Sequence, residues 1–120
     1  DIALNVADPA HRGHAVTAAR LGAPHATRLR IWLEQKAGVT LGIGLGMALP
    51  SEPAYDGFLR VAHMGHVNAH MTLGVLAAMQ AGMVALDIPH GPGALDAAAR
   101  VAEVAEHQWG ETLIKSWTSK

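Results

Sequence analysis

Arg60 sits inside an apolar run, Phe58-Leu59-Arg60-Val61-Ala62. A guanidinium held in a half-buried strand costs desolvation energy unless something anionic meets it. Its planar fork fits a carboxylate through two parallel hydrogen bonds. Two readings stand side by side. In one, Arg60 is on an edge strand, exposed or paired with a structural carboxylate. In the other it receives a small anion. The residues that follow favour the second reading. Gly65 allows a turn and Asn68 can cap an apolar helix behind it. A turn beside a helix N-terminus is itself attractive to anions.

His63, His66 and His70 form H-x-x-H-x-x-x-H. Imidazoles four apart on a helix can share a metal, but only His70 falls inside the predicted helix. No Asp or Glu lies nearby in sequence to complete a shell, so no metal ligand is assigned. Met64 would suit a soft metal better than zinc. The alternative places His63 in the turn, making backbone hydrogen bonds, with His66 and His70 as polar residues at the helix entry. Tyr55, the single tyrosine, could contact a ligand or serve as an acid. No serine-histidine-acid or G-x-S-x-G arrangement is present. Lys36, Lys115 and Lys120 lack the apolar setting that activates a Schiff-base lysine. No catalytic residue is therefore assigned in this segment.

Gly42-Ile43-Gly44-Leu45-Gly46 carries glycines at the spacing of part of a dinucleotide fingerprint. That fingerprint must open a helix, and Pro50, Ser51 and Pro53 prevent one here. The stretch reads instead as a glycine turn, a backbone path that lets something approach closely.

The elements that must position these residues follow from periodicity. Residues 14–20 read as a strand. Gly22-Ala23-Pro24 then starts a helix over 25–37, with Leu29, Trp32, Leu33 and Ala37 on one face. Arg30 and Glu34 are four apart and can pair on the opposite side. Gly38 ends that helix in the left-handed conformation. Val39-Thr40-Leu41 forms a second strand and 55–61 a third, carrying Arg60. A helix from about 69 to 86 is apolar nearly all round, which implies burial on several sides. Its Gly74, Ala78 and Gly82 make a smooth ridge for close helix packing. Ile88-Pro89-His90-Gly91-Pro92-Gly93 breaks the chain. Leu95, Ala98, Ala102 and Ala105 stripe a third helix over 94–107. Trp109 and Trp117 lie in a tail without clear pattern. The fold expected is α+β: a small three-stranded sheet with helices packed on one face. Residues 1–13 read as a lead-in, 14–107 as the domain and 108–120 as the tail.

The bulk numbers agree with one domain of modest core, since half of the 120 residues are apolar and 16% charged. A net charge of −1 gives no bulk attraction to nucleic acid or to an anionic membrane. With no cysteine, disulfides and thiol chemistry are excluded. The longest apolar run, Met71 to Leu86, is shorter than the roughly 20 residues a bilayer core requires. Without a secretory leader or a Ser-Lys-Leu ending, a cytoplasmic location is the expectation. Translation does not begin at aspartate, so Asp1 points to a fragment, whose surface would expose apolar area normally covered.

Four elements in order resemble the C-terminal region of class V pyridoxal-phosphate aminotransferases. They are Ala15-Val16-Thr17-Ala18-Ala19-Arg20, Val39-Thr40-Leu41-Gly42-Ile43-Gly44-Leu45-Gly46, Phe58 through Asn68, and the break at Asp87-Ile88-Pro89. The resemblance spans about residues 14–106 and is nearest the serine/alanine–glyoxylate (serine–pyruvate) branch. That branch carries a glycine-rich stretch after a short strand, then an FRIGHxGxxN motif opening a long helix. Leu59 stands here where the motif has phenylalanine directly before the arginine, and Ala62 replaces its glycine. Pro50-Ser51-Glu52-Pro53 lengthens the connection.

The resemblance implies a fold-type I small domain in which Arg60 binds the substrate carboxylate. It implies pyridoxal 5'-phosphate held by an N-terminal large domain upstream, in a homodimer, with a small amino acid and a 2-oxo acid as substrates. The segment alone, lacking the Schiff-base lysine, would be inactive. A second reading of the residues is a stand-alone non-catalytic α+β module that binds a small carboxylate. A third is a histidine-based metal binder.

Overall fold

A computed structural model of the chain describes residues 2–103. Four strands, β1 (Ala3–Leu4), β2 (Val16–Arg20), β3 (Gly42–Ile43) and β4 (Phe58–Ala62), form one sheet in the order β1-β2-β4-β3. Every neighbouring pair is antiparallel. β2 and β3 both oppose β4, so they are parallel to one another with β4 inserted between them. The helix α1 (His25–Trp32) therefore belongs to a split β-α-β crossover. The α+β class is as expected, but the sheet has four strands rather than three. The extra strand comes from the lead-in, where Ala3 and Leu4 pair with Arg20 and Ala19. A two-residue strand has no alternation to read, so only its pairing reveals it.

In a strand, successive side chains point to opposite faces. The register puts Ala19, Leu59 and Ile43 on one face, and Ala18, Arg60 and Gly42 on the other. The first face carries the core. Ala19 and Leu59 are buried there with Ala26, Leu29, Leu33, Leu41, Met79, Met83 and Ile88. Leu29, Leu33 and Leu59 are fully buried, each contributing about 1.5–3 kcal/mol. The helical segments 25–37 and 69–85 thus cover one face, and Arg60 belongs to the other.

α1 continues into a wider π-helical stretch, Leu33–Ala37, closed by Gly38 at φ 66° with the Gly38 amide on the Leu33 carbonyl. The widened turn breaks the i,i+4 relation expected of Arg30 and Glu34. No ion pair joins them; Arg30 Nε instead donates to the Leu41 carbonyl at 3.3 Å. Ala37 is exposed for the same reason, while Leu29 and Leu33 hold the core face.

Two strands begin later than periodicity suggests. Residues 39–41 are irregular because the left-handed cap takes up the turn and Leu41 drops into the core, leaving Gly42–Ile43 to pair with β4. Pro53–Gly57 is a 3-10 turn with proline in its first turn, so β4 starts only at Phe58. Gly57 is buried against the backbone of Gly22 and Ala23, where a Cβ would come within 3.0 Å of the Ala23 nitrogen.

α2 (Ala69–Ala85) is capped as expected: Asn68 Oδ1 accepts the Met71 amide at 2.9 Å. Burial on several sides is not what the described residues provide. Only Met79, Gly82 and Met83 are buried, while Met71 and Val84 are 51% and 61% exposed. Of the expected ridge, Gly82 takes the close contact with Leu29 and Trp32, and Gly74 has nothing within 4 Å. α2 closes on Asp87 at φ 52°, where Ile88 donates to the Met83 carbonyl and Arg28 Nη2 to that of Leu86 at 3.2 Å. Residues 94–103 are helical and form α3, with Leu95, Ala98 and Ala102 half-buried. Ala105, the expected extension of this helix to 107 and the tail tryptophans lie outside the described residues. No described helix is long and apolar enough to cross a membrane.

Candidate functional site

Arg60 is the third residue of β4, an inner strand flanked by β2 and β3. The edge-strand reading is thereby removed. Its register partners are Ala18 on one side and Gly42 on the other, both small. The half-buried side chain turns sideways across β3, where Nε donates to the Ile43 carbonyl at 2.6 Å. Among the described residues no carboxylate lies within 4 Å of the guanidinium; the ion pair present joins exposed Asp8 and His11. The paired-carboxylate reading finds no partner there either. Nη1 and Nη2 carry four N–H donors with no described protein acceptor. A half-buried fork with free donors is chemically suited to a carboxylate or another planar anion.

The same face carries a second arginine that sequence reasoning did not single out. Arg20 stands opposite Phe58, one pleat along from Arg60. Its guanidinium lies 5.8 Å from the centre of the Phe58 ring, and its Nε donates to Asn5 Oδ1 at 2.8 Å. Phe58 and Asn5 thus hold Arg20, whereas Arg60 has only the backbone. The signal for Arg20 was its even spacing from Ala18, but its place beside Arg60 depends on the β2–β4 register.

A cavity of about 100 Å³ opens beside β2, lined by Leu4, Val6, Arg12, Gly13, Val16, Thr17 and Ala18. Arg12 closes the lead-in loop there, giving Nε to the Val6 carbonyl and Nη2 to the Ala7 carbonyl. Two of its five N–H donors are tied to the backbone of the lead-in, and the side chain is exposed.

The three sequence-predicted histidines do not come together. The His63 amide donates to the Ala15 carbonyl at 2.9 Å, extending the β2–β4 ladder by one pair. Its Nε2 lies 2.9 Å from Thr17 Oγ1. His66 and His70 are exposed. Among the described residues no three His, Asp or Glu side chains are grouped to hold a metal. Tyr55 is half-buried in the turn before β4.

No protein-family model matches the sequence, and no curated protein matches it. Among solved structures, the chain is similar to the ureidoglycine–glyoxylate aminotransferase from Bacillus subtilis, with a TM-score of 0.69 and 24% identity. The likeness covers 85% of this chain and 25% of that one, so the chain spans a quarter of the neighbour's length. What the two share at this identity is the fold of this small α+β unit.

Proposed function

We propose that this chain is the C-terminal small domain of a pyridoxal-phosphate transaminase of class V, with Arg60 binding the substrate carboxylate. The substrates are a small amino acid, alanine or serine, and a 2-oxo acid such as glyoxylate or pyruvate. The observation that carries the reading is the half-buried Arg60 fork, unpaired among the described residues and on the sheet face opposite the core. The shared fold with an aminotransferase supports it.

In this reading Arg60 works by positioning. It grips one end of the amino or oxo acid and fixes the orientation of the Cα substituents, converting a loose encounter into a defined one. Nothing among the described residues fits the cofactor. Their one lysine, Lys36, stands exposed at the end of the widened helix. Cofactor attachment is accordingly assigned to a large N-terminal domain, and no step through the cofactor is derived from this chain. Such a domain, and a second protomer, would also cover the exposed Leu45, Leu49 and Met64.

The test is Arg60→Ala in the full-length protein, assayed with alanine or serine against glyoxylate or pyruvate. A steep loss of kcat/KM with rising KM supports the reading, and near-normal kcat/KM removes Arg60 from it. A wild-type protein that binds pyruvate without turnover would favour the non-catalytic carboxylate-binding module.

A further inference from the structure

We infer that Gly42 is a positioning residue for Arg60, and that it leaves the guanidinium a single mode of carboxylate binding, end-on through Nη1 and Nη2. The inference rests on the reading of Arg60 as the carboxylate receptor and adds how the receptor is aimed.

Gly42 and Gly44 are two apart, so they share one side of the chain, the side that meets alternate residues of β4. Each is occupied by a β4 side chain. A Cβ built on Gly42 would stand 3.2 Å from Arg60 Cβ, 3.3 Å from Nε and 3.4 Å from Nη2. A Cβ built on Gly44 would overlap that of Phe58. The glycine spacing is therefore a bed: Arg60 lies across the backbone of Gly42, and Phe58 lies across that of Gly44. Gly42 is in extended backbone without positive φ, so conformational freedom does not explain it. The space above its Cα does.

Lying flat brings Nε within 2.6 Å of the Ile43 carbonyl. A guanidinium can take a carboxylate side-on, through Nε and Nη2, or end-on, through Nη1 and Nη2. With the Nε proton already given to Ile43, only the end-on fork keeps two parallel donors. Ala18, the register partner on the other side, adds no bulk to crowd the anion. A methyl group at position 42 would press on the stem, Nε and Nη2 together, so the side chain must give by a few tenths of an ångström and carry the fork with it.

The experiment uses the full-length protein. Gly42→Ala is expected to lower kcat/KM for glyoxylate or pyruvate by roughly 5- to 10-fold, since the shift needed is smaller than the ~1 Å misplacement that costs about 10²-fold. In an Arg60→Lys background, which has no fork to aim, the same substitution should cost less than about twofold. Equal losses in both backgrounds would make Gly42 a merely structural residue and overturn the inference while leaving Arg60 as receptor. Arginine-selective labelling of Arg60 with phenylglyoxal, read by peptide mass spectrometry, needs no turnover. Pyruvate should slow it in the wild type and not in Gly42→Ala, and equal protection in both overturns the inference. Where Gly42→Ala does not fold, a wild-type structure with bound pyruvate decides. Carboxylate oxygens on Nη1 and Nη2, with Nε still on Ile43, support the inference, and an oxygen on Nε overturns it. Absence of transamination in the wild type would count against the proposed function, and the labelling and the pyruvate complex would still judge Gly42.

Discussion

Thr17 Oγ1 and His63 Nε2 lie 2.9 Å apart, joining the second strand of the sheet to the first residue beyond β4. The two residues are 46 positions apart in sequence, and the bond fastens the point where the chain leaves the strand of Arg60 for the turn into α2. Because the pair is partly buried, Thr17→Val should destabilise the protein by ~1 kcal/mol. Denaturant unfolding measures the loss, and a change within error would make the bond incidental.

Arg60→Ala removes the fork. On the proposed role of Arg60 as carboxylate receptor, its loss is expected to cost about 2–4 kcal/mol of transition-state binding. Steady-state kinetics with the amino acid and the oxo acid varied separately should show the effect on both, since both carry the carboxylate.

Gly82 and Gly74 share a helix and differ in surroundings. A Cβ at Gly82 would meet Leu29 Cδ1 at 2.6 Å and Trp32 Cε3 at 2.8 Å. Gly82→Ala is therefore expected to destabilise by about 1–3 kcal/mol through overpacking. Gly74 has open space around it, and Gly74→Ala should stabilise by roughly 0.5–1 kcal/mol through the helix preference of alanine. Thermal or denaturant melts of the two variants give opposite signs. A destabilised Gly74→Ala in the full-length protein would place another part of that protein against the N-terminal half of α2.

Asn68→Ala deletes the acceptor of the Met71 amide. About 1 kcal/mol of stability should be lost, with hydrogen exchange rising first at the amides of residues 69–72. Asn68→Asp should retain most of the cap.

Features made by neighbours in the chain were legible in the residues themselves. The Asn68 cap, the Gly38 terminator, the Leu29 and Leu33 core positions and the break after Leu86 each depend on a few adjacent residues and a known backbone period. The anomaly of Arg60 was legible too, because a guanidinium among apolar residues demands explanation wherever it folds. Partners across the sheet were not. Ala3–Leu4 joins the sheet because β2 offers it an edge, and Arg60 lies in an inner strand because β3 passes on its far side. The glycines at 42 and 44 looked like a loop and proved to be the resting places of two side chains from a strand some sixteen residues on.

The sequence by itself determined the helices with their caps, and the cation that lacks a local reason to be where it is. Tertiary structure decided which face that cation shares, what lies beneath it and which of its donors stay free. The physical reason is range: caps and periods are set by covalent neighbours, whereas register, packing distance and hydrogen-bond partners are set by which strands meet.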